Sequence, residues 1–198
     1  MTAPRRPPLP APADALPDGY ARFRVGSSEV VALVAAAEAV REALHEGTLY
    51  EYAARHPRAR EFTGRGVAYA VPLPDLVTQV VVRRSRHGGF LAPVTGDRFL
   101  APTRAPRELR SAVRLAACGV RTPELVAYAT YPAGPLLRRS DVATREVPRG
   151  KDLAVALLNP PPGDVKRELL RAAAALVAAL GRCGARHPDL NLKNVLLA

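Results

Sequence analysis

The sequence contains no tryptophan, a single methionine, two cysteines and only 5% aromatic residues. So few cysteines exclude a small disulfide-stapled scaffold, and Cys118 and Cys183 lack the close spacing of a zinc or redox pair. They read as two ordinary buried thiols of a reducing cytosol. The shortage of aromatics leaves no module in which stacking rings alternate with basic residues, as strand-based RNA readers require, and no basic recognition helix stands out. Nucleic acid is therefore not the expected partner. Long apolar runs are also missing: Val30 to Ala37 falls far below the ~20 residues of a membrane span, and Glu38 and Arg41 break the apolar character directly after it. The extreme N-terminus is proline-rich without an apolar core segment, so no signal peptide is expected.

Basic charge is abundant. Lys and Arg number 29 against 18 Asp and Glu, a formal charge of +11, which attracts phosphates, anionic lipid head groups or nucleic acid without choosing among them. With 198 residues, 48% apolar and 24% charged, the chain has the length and composition of one globular domain or most of one.

Residues 1–27 read as a flexible proline-rich arm and lead-in. Residues 28–147 read as one lobe, and 148–198 as the start of a second. From Ser28, a candidate N-cap, Val30, Val34, Ala37, Val40 and Leu44 recur at helical spacing until Gly47, which predicts an amphipathic helix. Phe62 to Ala70 and Leu76 to Arg84 predict two antiparallel strands joined around Pro72 and Pro74. Pro106 to Ala117 predicts a helix, and Glu124 to Thr130 with Leu136 to Glu146 a strand pair turning at Pro132, Ala133 and Gly134. Asp164 is the expected cap of a further helix with Val165, Leu169, Leu176 and Leu180 on one face and Gly184 as its stop. The fold class is α+β, an N-terminal antiparallel sheet with a helix and then the beginning of a helical lobe.

Three constellations carry chemistry. His187-Pro188-Asp189-Leu190-Asn191-Leu192-Lys193-Asn194 has the spacing H-x-D-L-x-x-x-N, in which an Asp orients an acceptor hydroxyl and an Asn reaches a magnesium ion on phosphates. Lys193 lies where a cation can meet a transferring phosphoryl group. Gly64-Arg65-Gly66 offers backbone amides that phosphates can approach without Cβ obstruction. Arg83, at the end of a valine run, and Glu108, on the first large helix, form a candidate cation and carboxylate pair at the phosphates. Each also admits a purely structural reading: a polar connection, an ordinary hairpin, and a basic strand edge beside a solvated glutamate.

In these segments, GRGVAY at 64–69, VVVRRSRHGGFL at 80–91, DRFL at 97–100, TRAPREL at 103–109 and HPDLNLKNVLLA at 187–198, the sequence resembles the Kdo kinase branch of the lipopolysaccharide kinases, a protein-kinase-like family. The resemblance implies ATP and Mg2+ as cofactors. It implies Gly64, Arg65, Gly66, Arg83 and Glu108 at the nucleotide, Asp189 and Lys193 in catalysis, and Asn194 at the metal. It further implies a lipid-linked anionic acceptor, Kdo-lipid A, met by a cytoplasmic protein peripheral to the inner membrane, with Arg84, Arg86, His87, Arg138 and Arg139 as candidate contacts. Ala198 precedes any counterpart of the second metal-binding Asp. The reading therefore includes a truncated kinase, or a non-catalytic nucleotide-binding module, and expects the apolar segment Val195 to Leu197 to lack its hairpin partner.

Overall fold

The structure is a computed structural model that describes residues 15–64, 66–74, 76–86, 96–148, 150–158, 162–185 and 190–197. Its main element is an antiparallel sheet in the order β1-β2-β7-β8-β5-β4-β3. The strands are β1 (Tyr20–Val25), β2 (Ser28–Leu33), β3 (Arg60–Thr63), β4 (Val67–Val71), β5 (Val80–Arg84), β7 (Leu125–Pro132) and β8 (Leu137–Arg145), with short β6 (Phe99–Leu100) pairing beside β8. Helices α1 (Ala37–His45) and α2 (Leu49–Arg55) cover one face, and α3 (Ala105–Ala117) covers part of the other. Beyond the sheet lie β9 (Lys151–Asp152), α4 (Leu153–Leu158), α5 (Gly163–Arg182), a 3-10 turn at Leu192–Asn194 and β10 (Leu196–Leu197).

The helix expected from Ser28 to Leu44 is a strand and then a shorter helix. Ser28–Leu33 pairs with β1 on one side and β7 on the other. A strand inside a sheet covered on both faces is apolar at successive positions, so Val30 at 0% and Val31 at 2% exposure bury against opposite layers. That continuity gives the segment its helical look, although its valines favour β structure. The β1–β2 connection is the two-residue Gly26-Ser27, with Gly26 at φ 55, a conformation that glycine adopts without strain. Tyr20–Val25 is thus part of the sheet, although the sequence placed it in the lead-in.

The larger core packs Val30, Ala32, Val71, Val80, Val82, Val126 and Ala143 against Ala39, Val40, Ala43, Leu44, Leu49 and Ala53 from α1 and α2. Each fully buried valine or leucine contributes roughly 1.5–3 kcal/mol relative to exposure. α2 starts at a capping box: Thr48 Oγ1 accepts from Glu51 N at 3.1 Å, and Glu51 Oε2 accepts from Thr48 N at 3.0 Å. On the other face Val31, Tyr128, Leu125 and Val142 meet Ala105 and Leu109 of α3.

The expected strands at 124–130 and 136–146 and the helix at 106–117 are present as β7, β8 and α3. The segment Phe62 to Ala70 is a hairpin, β3 and β4, rather than one strand, because the chain reverses at Gly64–Gly66. α5 is capped by the backbone of Pro162, while Asp164 pairs with Arg167 one turn on. Gly184, at φ 64, ends it as expected. Its apolar stripe is only half-buried at Leu169, Leu176 and Leu180, and Val165 is exposed.

One further expectation is corrected. Cys118 and Cys183 are joined in a disulfide, with Cα atoms 5.9 Å apart across 65 residues of sequence. They end α3 and α5, two helices whose C-termini converge, a proximity that linear spacing cannot show. The segment before Ala198 is nevertheless paired, not by a hairpin neighbour but by β9: Leu196 and Leu197 run antiparallel to Asp152 and Lys151.

Candidate nucleotide and phosphoryl-transfer site

β3 and β4 converge on the glycine turn, closed by Gly64 N donating to Gly66 O at 3.1 Å. Neither glycine has a positive φ. A methyl group at Gly64 would lie 3.9 Å from Gly66 O, and one at Gly66 would lie 3.7 Å from Arg86 Cδ, both ordinary contact distances. The backbone therefore does not require glycine at either position. Bare backbone is useful instead to a group approaching from outside. Arg65, between them, lies outside the described residues.

Alternation along β5 sends Val80, Val82 and Arg84 to the α1/α2 face, and Val81 and Arg83 to the α3 face. Arg83 stands opposite Ala68 of β4 and Val142 of β8. On α3, Ala105 is buried against the sheet, which directs Glu108, three residues on, along the same side. Arg83 Nη2 and Glu108 Oε2 are 2.6 Å apart. Their side chains remain 43% and 32% exposed. A pair that wet contributes at most about 1 kcal/mol to stability. Its consequence is positional: a half-exposed guanidinium is held beside the glycine hairpin.

Arg84 has the opposite environment. It faces Asp97 at 3.5 Å and Asp141 at 3.6 Å, and its guanidinium lies 4.6 Å from the centre of the Tyr50 ring. Arg139 Nε donates to Asp97 Oδ1 at 2.9 Å. Asp141 is fully buried and accepts from Tyr50 N at 3.0 Å, while the Tyr131 hydroxyl accepts from Leu49 N at 2.9 Å. Burial pushes the Asp141 carboxyl above its ordinary range, opposed by the Tyr50 amide and Arg84. Burial likewise drives the Tyr131 hydroxyl upward, reinforced by the Asp141 charge. Arg84 and Arg139, named in the sequence as contacts for an anionic partner, are thus engaged in ion pairs within the fold. Arg86 lies beside Gly66, Arg138 is on the α3 face, and His87 is outside the described residues.

The C-terminal segment is held by backbone. Leu153 N donates to Val195 O at 2.9 Å, and both residues are buried. The Asn191 side chain accepts from Lys193 N at 3.0 Å and its carbonyl accepts from Asn194 N at 3.0 Å. Lys193 and Asn194 therefore share one fixed turn. His187 and Asp189 lie outside the described residues. The helix bearing Glu108 is tied to the helix leading toward this segment by the Cys118–Cys183 bridge and by Arg114 Nη2, which donates to Cys183 O at 2.8 Å. Neither tie is visible in the linear sequence. Nor is the Asp141 hub, whose only trace is a carboxylate between the arginines of a strand that reads as half-polar.

The sequence pattern of the lipopolysaccharide kinase (Kdo/WaaP) family matches residues 53–198. The chain belongs to that family. A 3-deoxy-D-manno-octulosonic acid kinase of Vibrio cholerae serotype O1 is 30% identical over 139 residues, covering 68% of this chain and 57% of the relative. A protein of the same name from Vibrio vulnificus is 27% identical over 139 residues, 68% of this chain and 56% of the relative. The chain thus spans a little over half the length of the curated relatives it matches. The family match begins inside α2, so β1, β2 and α1 lie ahead of the matched region. Among the described residues no helix is long and apolar enough to cross a membrane.

Proposed function

We propose that the chain forms the nucleotide-binding and phosphoryl-orienting part of an ATP-dependent kinase that phosphorylates a Kdo sugar of the lipid A precursor. The observation that carries this reading is the Arg83–Glu108 pair, 2.6 Å apart and half-exposed beside a glycine turn whose glycines the backbone itself does not need. The names of the Vibrio relatives support the choice of acceptor.

In this reading the Arg65 and Gly66 amides receive phosphate oxygens at the turn that Gly64 closes, and Arg83, steadied by Glu108, pairs with them as a charged fork. Asp189 accepts the hydrogen bond of the sugar hydroxyl and takes its proton as the oxygen attacks the terminal phosphorus. The bond to the bridging oxygen then breaks, and ADP leaves. Lys193 offsets charge on the transferring group. The Asn194 carboxamide oxygen fits the hard-donor chemistry of Mg2+, which when bound neutralises phosphate charge. The protein acts at the cytoplasmic face of the inner membrane, where its basic surface meets an anionic lipid.

The test is a thermal unfolding scan of the 198-residue protein with Mg-ATP, paired with a transfer assay on a Kdo-containing lipid acceptor. Nucleotide at ~100 times its dissociation constant should add about 2.7 kcal/mol. Transfer should disappear in Asp189→Asn while the nucleotide-induced shift persists. No shift in the parent protein would refute the nucleotide site. A shift without transfer would identify a non-catalytic nucleotide-binding module.

A further inference from the structure

At the sheet edge far from the glycine hairpin, the α3 face of β1, β2 and β7 forms a groove of about 830 Å³ against the start of α3. Strand register explains its lining. Arg22, Val31 and Tyr128 form one cross-strand rung, and Arg24, Glu29 and Thr130 the next. Arg110 comes from α3 and Arg138 from β8, so four guanidinium groups share the groove with one carboxylate.

Two of these charges are not used by the fold. Among the described residues Arg22 and Arg24 form no ion pair, although cross-strand Glu29 is close by. Arg22 and Arg110 both act on the Tyr128 hydroxyl, opposing the upward push of its burial, which places two positive charges around one buried ring. Thr103, 7% exposed, contributes to the wall, and its hydroxyl has no hydrogen-bond partner among the described residues. Like charges gathered around a single carboxylate oppose folding, whereas a bound anion would turn the same arrangement into charge-assisted hydrogen bonds.

We propose that this groove is a second ligand site, separate from the nucleotide site, for a sugar bearing phosphate or carboxylate groups. Its volume lies within the roughly 300–1,000 Å³ of small-molecule sites and exceeds what one inorganic phosphate fills. The floor of Val31, Leu109, Tyr128 and Pro106 offers apolar and aromatic surface to the C–H face of a sugar ring. Thr130 supplies a hydroxyl for its alcohol groups, and the arginines at the rim take its charges. The site takes the sugar either free in solution or as the headgroup of a lipid.

Titration calorimetry on the full chain, with glucose 1,6-bisphosphate as the soluble probe and vesicles carrying a phosphorylated glycolipid as the lipid probe, distinguishes the two sources. The parent is compared with Arg22→Glu/Arg24→Glu, with the milder Arg24→Gln, and with Lys166→Glu/Arg171→Glu on α5 as a charge-matched control. Circular dichroism checks each fold; should the double reversal disturb the β1–β2 hairpin, Arg24→Gln decides. The expected result is binding about tenfold weaker in the double groove variant, weaker also in Arg24→Gln, and unchanged in the control. That pattern with the bisphosphate assigns a free sugar ligand, and with vesicles alone a lipid headgroup. Equal weakening in groove and control variants, or no binding of either probe by the parent, overturns the proposal.

Discussion

Arg83 and Arg84 are neighbours on one strand, yet they live under different physics. Arg84 points into the α1/α2 face, where its side chain is 21% exposed and shares the buried Asp141. Arg83 points to the α3 face and meets a half-exposed Glu108. The first pair lies in a low-dielectric interior, where breaking one partner strands a charge. The second lies where water screens it, so little stability depends on it. One side of the sheet is committed to holding the fold, and the other keeps its charges available to ligands.

The most damaging substitution should be Asp141→Ala, which leaves Arg84 with Asp97 as its remaining carboxylate and strips the Tyr50 amide of its acceptor. A loss of about 3–5 kcal/mol by urea denaturation is expected. The folded carboxyl titrates above the ordinary Asp range, so the native state binds its proton more tightly than the unfolded chain does. The stability from this shift is complete below the unfolded pKa and is lost as pH rises through the folded pKa. The gap between parent and variant should accordingly narrow with rising pH across that window. A gap that widens would contradict the assigned burial.

Next in size is the Cys118–Cys183 bridge. Closing 65 residues of sequence separation restrains the unfolded chain, and Cys118→Ser/Cys183→Ser should cost about 2–4 kcal/mol under oxidising conditions. Parent and variant should unfold alike in dithiothreitol. A difference that survives reduction would mean that the cysteines act by packing instead.

The smallest stability effect belongs to Arg83→Met, expected within about 1 kcal/mol of the parent by the same denaturation. The Mg-ATP shift should nevertheless fall sharply in this variant. Loss of stability comparable to Asp141→Ala would erase the distinction between the two faces.

Much of this organisation is legible in the sequence. The β-branched run at 80–82, the proline at the start of α3 and the turn at 132–134 each have a local cause, and all three elements form as expected. The pairing of Arg83 with Glu108 can be anticipated from the motif order as well. Thr48-x-x-Glu51 is a capping-box signal for α2 that the apolar periodicity around it obscures. Ser28–Leu33 reads as helix because residues buried on both sides of a covered sheet lose their period-2 pattern.

By itself, then, the sequence determined the local elements, the excess of positive charge and the kinase-like family, because propensity, turn chemistry and motif spacing act over a few residues. Only the tertiary structure decided that two cysteines 65 positions apart would meet, that Asp141 would be the buried counter-charge for Arg84, and that four arginines from two strands and a helix would line one groove. These depend on which strand lies beside which and on which face each side chain takes. A one-residue change of register would reverse every facing, and that choice is fixed by burial across the whole sheet.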